Sequence, residues 1–193
     1  MKLLHLDTSA LGANSVTREL SAAIVARWQA AVPGLTVDYR DLDANPLPHL
    51  TGPVLTGVDT AAKAEGDAIM DQFLATDVIV IGAPMYNFGV PSTLKAWIDR
   101  VAVAGKTFRY TENGPEGLAT GKRMIVASGR GGVYGDSSPA DFQEAYLRQV
   151  FGFLGVTDIE FVRAEGVAYS DQHRVDALKS AHASIAERVL EAA

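Results

Sequence analysis

The sequence predicts an α/β protein, a doubly wound five-stranded parallel sheet with helices on both faces. Three observations predict it. Short apolar runs alternate with helical periodicity along the whole chain. Asp77 to Ala83 (DVIVIGA) is a continuous β-branched run, suited to a central parallel strand covered on both faces. The 193 residues, 48% hydrophobic and 21% charged, suit a single domain spanning 1–193 with one sizeable core.

In order, Lys2 to Leu6 reads as a buried strand stopped by Asp7-Thr8-Ser9. Ser15 to Ala31 reads as a helix, with Leu20, Ala23, Ile24, Arg27 and Trp28 on one face and Pro33-Gly34 as the stop. Thr36 to Tyr39 is a second strand, and residues 41 to 60, rich in Pro, Gly, Thr and Asp, are loop. Ala61 to Ala75 is a helix with Ala68, Ile69 and Phe73 inward. The central strand ends at Pro84. Ser92 to Ala104 follows as a helix carrying Leu94, Trp97, Ile98 and Val101 at i, i+3, i+4 and i+7. Lys106 to Lys122 reads as a hairpin turning at Asn113-Gly114. Met124 to Ala127 is the fourth strand of the sheet. Pro139 to Phe153 is a helix capped by Ser138, with Phe142, Ala145 and Leu147 on its inner stripe. Ile159 to Val162 is the fifth strand, and Asp171 to Glu191 the closing helix.

Composition removes several function classes. A formal charge of −6 without a Lys/Arg run disfavours nucleic acid and anionic membranes. The apolar start MKLLHL is shorter than a signal h-region, and no run approaches the roughly 20 residues a membrane helix requires, so a cytoplasmic protein is expected. With 0 Cys there is no disulfide or thiolate chemistry. His5, His49, His173 and His182 have no metal-ligand spacing, and His5 reads as a satisfied strand histidine. Lys95 and Asp99 read as an i,i+4 ion pair, and Asp136-Ser137-Ser138 as a cap with no triad partner.

Parallel sheets place ligands outside the carboxyl ends of their strands, where strand order switches. Three loops should therefore meet. The first, Thr8 to Thr17, runs into a helix N-terminus, where free N–H groups and the dipole favour an anion. Ser9, Ser15 and Thr17 add hydroxyls, and neither a Gly-Lys-Ser/Thr triplet nor a dinucleotide fingerprint is present, which suits one phosphomonoester. Plain capping by Asn14 or Ser15 is the bland alternative. The second loop, Pro84 to Pro91, holds Met85, Tyr86, Asn87 and Phe88, able to wall a flat ring or merely to bury its own aromatics. The third is Ser128-Gly129-Arg130-Gly131-Gly132, whose glycines permit close backbone approach or form a simple turn. Together the loops describe a site for a flat heterocycle with one terminal phosphate, as in FMN.

Four segments carry a family resemblance. They are APMYNFGVPSTLKAWIDRV from Ala83, GKTFRYTENGPEGL from Gly105, GRGG from Gly129 and FGFLGVTD from Phe151. They resemble the flavodoxin-like FMN-dependent NADH-azoreductases, also described as quinone reductases, and the element order matches end to end. The resemblance implies a homodimer with one tightly bound FMN per subunit near the interface. By position, Ser9 and Ser15-Val16-Thr17 resemble the phosphate loop, Met85-Tyr86-Asn87-Phe88 the isoalloxazine cradle, and Gly129-Arg130-Gly131-Gly132 the loop at the pyrimidine rim. Tyr110 and Phe153 match positions bordering the flavin pocket, and are expected to line the substrate side. The family often has Ser at the position of Gly129; here Ser128 precedes it. The segment from Thr51 to Gly66 is shortened and offers only Lys63 as a basic residue.

The implied activity moves two electrons from NADH or NADPH to quinones or azo compounds in alternating half-reactions. No side chain stands out as a catalytic acid or base. A flavodoxin-like electron carrier without nicotinamide turnover is the rival, and a flavin-binding regulatory protein a second.

Overall fold

The computed structural model describes residues 1–136 and 138–188. Five parallel strands form one sheet: β1 (Lys2–Asp7), β2 (Thr36–Asp41), β3 (Val78–Pro84), β6 (Arg123–Gly129) and β7 (Asp158–Ala164), ordered β2-β1-β3-β6-β7. Two strands outside the sheet, β4 (Phe108–Thr111) and β5 (Gly114–Gly117), pair antiparallel as the expected hairpin. Thr111 pairs with Gly114, so the turn residues are Glu112-Asn113 rather than Asn113-Gly114. The helices are α1 (Val16–Ala31), α2 (Gly52–Leu55), α3 (Thr60–Leu74), α4 (Ser92–Val101), α5 (Phe142–Leu154) and α6 (Asp171–Arg188). The short α2 interrupts the stretch expected as loop.

All of β3 is buried, as its uninterrupted apolar run requires. One face of the sheet packs Leu4, Leu6, Ile79, Ile81, Met124 and Val126 against Phe73, Trp97 and Phe151. The other packs Leu3, Val78, Val80 and Ile125 against Leu20, Ile24 and Trp28 of α1 and Ile185 of α6. The α4 stripe is wholly buried as its spacing predicts. Strand order reverses between β1 and β3, the point at which sheets of this kind place their ligands.

The first turn of α1 lies close on the sheet because two glycines make room. A Cβ on Gly82 would lie 2.5 Å from Asp7 Oδ1 and 3.0 Å from the Thr17 carbonyl oxygen; one on Gly129 would lie 2.8 Å from Thr17 Cγ2. Gly129 therefore serves helix–sheet packing, a role its reading as a point of ligand approach did not include.

Other corrections are local. Helix α5 begins at Phe142, three residues later than expected: Asp141 is the cap, its Oδ1 accepting the N–H groups of Gln143 and Glu144 at 3.0 Å. Two acceptor contacts from a carboxylate outcompete a serine for that place. Phe142 and Ala145 face solvent, whereas Phe151 is fully buried beside Phe73 and Trp97 and fills core. Ala68 is exposed, and Met70 takes the inward place beside Ile69. The expected end of the last helix at Glu191, and Ser137, lie outside the described residues. Among the described residues no helix is long and apolar enough to cross a membrane.

Candidate functional site

The loops after β1, β3 and β6 converge at the carboxyl end of the sheet. Tyr86 ties the first two: its hydroxyl lies 3.3 Å from Ser9 Oγ and accepts the Ala10 N–H at 3.2 Å. Met85 ties the second to the third by donating its N–H to the Gly129 carbonyl at 2.8 Å.

In the first loop, Ser15 is the N-cap of α1, its Oγ accepting the Arg18 N–H and lying 3.1 Å from Thr17 Oγ1. The capping reading thus holds for Ser15, but it satisfies only one donor of the helix end. The N–H groups of Val16 and Thr17 find no acceptor among the described residues, although both residues are buried. Buried donors without partners are costly, and two side by side at the positive end of a 16-residue helix form a place for an anion.

Asn87 and Phe88 form the two-residue turn of a small hairpin closed by Tyr86 N–H to Gly89 carbonyl at 3.1 Å and Gly89 N–H to Tyr86 carbonyl at 3.0 Å. Both turn residues have positive φ, 48° and 69°. Asn tolerates this region; Phe does not without a cost of about 1–2 kcal/mol. Strain of that size, on an exposed aromatic at a strand end, is typical of a ligand-facing turn. The Phe88 ring meets Tyr134 edge-on at 6.5 Å between centroids, across from the third loop.

Arg130 differs from its sequence reading as a ligand-facing residue. Its side chain is wholly buried and binds Asp141, Glu144, Glu165 and Ser128 Oγ. Its N–H donates to the Ala164 carbonyl and its own carbonyl accepts from Val167. No polar group of Arg130 is left for a ligand; the residue anchors the loop. Glu165 completes the anchor by accepting the Tyr134 and Gly135 N–H groups. The Ser128 hydroxyl is spent on Gln143 and Arg130. The Gly131 and Gly132 carbonyls accept the Ala168 and Gly166 N–H groups, and the two glycine N–H groups are left without an acceptor among the described residues.

Below the first loop lies a cluster that sequence reasoning missed: Asp7, Arg18, Tyr39 and Asp41. Arg18 grips both oxygens of Asp41 at 2.6 and 2.8 Å and donates twice to the Ser9 carbonyl, from Nη2 at 2.9 Å and Nε at 3.2 Å. Asp41 also accepts the N–H groups of Asp43 and Ala44. The Arg18 fork holds the Asp41 carboxyl down at about 2, against the opposing effect of burial. Burial and the neighbouring Asp7 carboxylate, which accepts its hydroxyl at 3.1 Å, push Tyr39 up to about 12. A shallow polar depression lined by Asp7, Ser15, Arg18, Tyr39 and Asp41 opens beside this cluster. The signal was an Arg three residues past the capping serine and an Asp closing the second strand. His5 lies 3.5 Å from Asp7 Oδ1, yet its buried Nε2 makes no hydrogen bond, so it is less satisfied than expected.

Tyr110 and Phe153 are not brought to these loops. Their rings both contact Phe108, at 5.7 and 4.5 Å, and Tyr110 is 76% exposed. The hairpin is rooted at the amino end of the sheet, where Ala119 bonds to Leu154 and Lys122 Nζ donates to the Leu74 and Thr76 carbonyls. A half-open pocket of about 420 Å³ beside it is lined by Leu50, Val54, Leu55, Arg100 and Phe108 among others.

Comparison with known proteins agrees with this geometry. The profile of the flavodoxin-like fold family matches residues 1–189. An FMN-dependent NADH:quinone oxidoreductase of Stenotrophomonas maltophilia is 65% identical over 96% of this chain and 94% of its own. One from Xanthomonas axonopodis pv. citri is 67% identical over 97% and 96%. Among solved structures, an FMN-dependent NADH-azoreductase from Bacillus anthracis in complex with FMN superposes with a TM-score of 0.90 at 26% identity, covering 100% of this chain and 99% of that one. With two-thirds identity over nearly its whole length, the chain belongs to the flavodoxin-like family of FMN-dependent NADH:quinone oxidoreductases and azoreductases.

Proposed function

We propose that the protein is an FMN-dependent oxidoreductase that passes two electrons from NADH to quinone- or azo-type acceptors, working in the cytoplasm as a homodimer with ping-pong kinetics. The observation that carries this reading is that the N–H groups of the buried residues Val16 and Thr17 have no acceptor among the described residues, at the same end of the sheet as the strained Asn87-Phe88 turn. Donors of that kind suit one phosphate, and an apolar turn with open backbone suits a flat ring.

In this reading Ser9, Ser15, Val16 and Thr17 hold the phosphate. Met85, Tyr86, Asn87 and Phe88 wall the ring, and Gly131 and Gly132 offer N–H groups at its polar rim. Gly129 and Arg130 hold that rim in place without touching it. Bound FMN supplies the hydride acceptance and release, so the protein's part is to bind, orient and shield. No acid or base side chain is assigned. One pocket visited in turn by donor and acceptor gives ping-pong kinetics. Tyr110 and Phe153 reach a flavin only if a second copy lends them. Tyr110 is exposed, and so are the apolar side chains of Leu55 and Val58, which leaves apolar area for such pairing.

The test is steady-state oxidation of NADH by a quinone, repeated with NADPH and with an azo dye. Flavin-dependent turnover with a parallel-line pattern supports the reading. A protein that binds FMN but does not oxidise either nicotinamide is an electron carrier or a binding protein, and the enzyme reading falls.

A further inference from the structure

We infer that Arg18 and Asp41 are positioning residues for phosphate binding. The inference rests on the phosphate-loop reading above but assigns a role to residues outside that loop. Their fork fixes which way the Ser9–Ala10 peptide faces, and so sets the affinity for the phosphate of the flavin rather than for its ring.

A trans peptide is planar, and its C=O and N–H point in opposite directions. Arg18 holds the Ser9 carbonyl with two donors, from Nη2 at 2.9 Å and Nε at 3.2 Å. The Ala10 N–H is thereby turned away from Arg18, toward the Tyr86 hydroxyl of the loop after β3, 3.2 Å away. Arg18 is itself held at the far side by the two oxygens of Asp41. Asp41 is fixed in turn by the Asp43 and Ala44 N–H groups. A chain of charge-assisted bonds thus runs from the end of β2, through the first turn of α1, to the peptide after Ser9. Bidentate contacts of this type fix orientation as well as distance.

Arg18 acts through the loop and not on the phosphate. Nε and Nη2 are given to Ser9, both terminal nitrogens to Asp41, and Nη1 also lies 3.4 Å from the Tyr39 hydroxyl. Charge leads to the same conclusion. Asp41 and the buried Asp7 both face Arg18, so the cluster carries two carboxylates against one guanidinium. As a bare electrostatic feature it would repel a phosphate. Its value to an anion lies in geometry.

That contrast gives the test. Dissociation constants of FMN and riboflavin for the apoprotein are measured by flavin fluorescence quenching, for wild type, Arg18→Gln, Arg18→Lys and Asp41→Asn, with thermal unfolding of each apoprotein. We expect Arg18→Gln to weaken FMN about ten- to a hundredfold, the size of one or two charge-assisted bonds, and riboflavin less than about threefold. Arg18→Lys should recover only part of the loss, because one ammonium cannot span both partners as a fork does. Asp41→Asn should also weaken FMN although it removes a negative charge near the phosphate. Three results each overturn the inference: equal loss for both flavins, FMN binding that is unchanged or tighter in Asp41→Asn, or full recovery in Arg18→Lys. Should Arg18→Gln fail to fold, the Lys and Asn variants still decide. Failure of the wild type to prefer FMN over riboflavin would instead remove the phosphate-loop reading itself.

Discussion

The two ends of the one sheet are built on different principles. At the carboxyl end, backbone donors are left without acceptors among the described residues and two consecutive non-glycine residues take positive φ. Both loops that flank this strained turn are braced by an arginine among carboxylates, Arg18 under the first and Arg130 under the third. At the amino end the backbone is ordinary. The hairpin is short, closed by Thr111 and Gly114, and fastened by Lys122, whose burial lowers its pKa. Tyr110 of the hairpin is largely exposed there. Unsatisfied donors and strain are the features the proposed flavin site rests on, and an exposed aromatic on relaxed backbone the feature the proposed pairing rests on.

The largest effect expected from breaking this contrast is at Arg130. Arg130→Ala leaves Asp141, Glu144 and Glu165 without their common partner and should cost about 3–5 kcal/mol in urea unfolding, in apoprotein and holoprotein alike. A loss under 1 kcal/mol would mean the cluster is not a brace.

Next comes Asn87→Pro. Proline cannot adopt φ near 48°, and it removes a backbone donor from the turn. FMN affinity should fall on the order of a hundredfold, the equivalent of roughly 3 kcal/mol, with the fold retained. Full flavin occupancy would show that the turn does not cradle the ring. Phe88→Gly sharpens the same point from the other side. It relieves the αL cost at Phe88, so the apoprotein should be no less stable than wild type, while flavin binding weakens.

At the amino end the expected effects are smaller and of another kind. Tyr110→Ala should leave stability within about 0.5 kcal/mol and FMN occupancy unchanged, because the side chain is exposed and far from the donors. It should alter the acceptor KM, and, if the proposed pairing of two copies holds, activity should fall on dilution. Full specific activity in a demonstrated monomer would detach Tyr110 from the site.

The smallest effect is in acid. The Asp41 carboxyl is held at about 2 in the folded chain against an ordinary value of 3.8. A lowered folded value means that its contribution to stability is complete above pH 4 and is lost as pH falls from about 4 toward 2. Apoprotein unfolding should show this loss in wild type and a shallower one in Asp41→Asn between those pH values. Identical profiles would say that Asp41 is not held by Arg18.

The fold was readable because its signals are local and redundant. The β3 run, the α4 stripe and the Pro-Gly stops each name an element without help from the rest. The capping of α5 was misread because Ser138-Pro139 imitates a helix start, and only the paired acceptor contacts of Asp141 show where it begins. The meeting of the loops that carry Ser9 and Tyr86 was legible because hydroxyls and aromatics at strand ends are visible in any α/β sequence. The role of Arg130 was not, because its partners come from 11, 14 and 35 positions away. Arg18 and Asp41 were hidden for the same reason, being separated by 23 positions. Gly129 was seen, but its packing role was not, since a sequence does not show that a glycine makes room for Thr17.

The most direct test of the central claim is a crystal structure of the protein grown with FMN. The account predicts the phosphate within hydrogen-bond reach of the Val16 and Thr17 N–H groups and the ring against the Asn87-Phe88 turn. A flavin phosphate bound elsewhere, with those two N–H groups turned to water or to the protein, would contradict it.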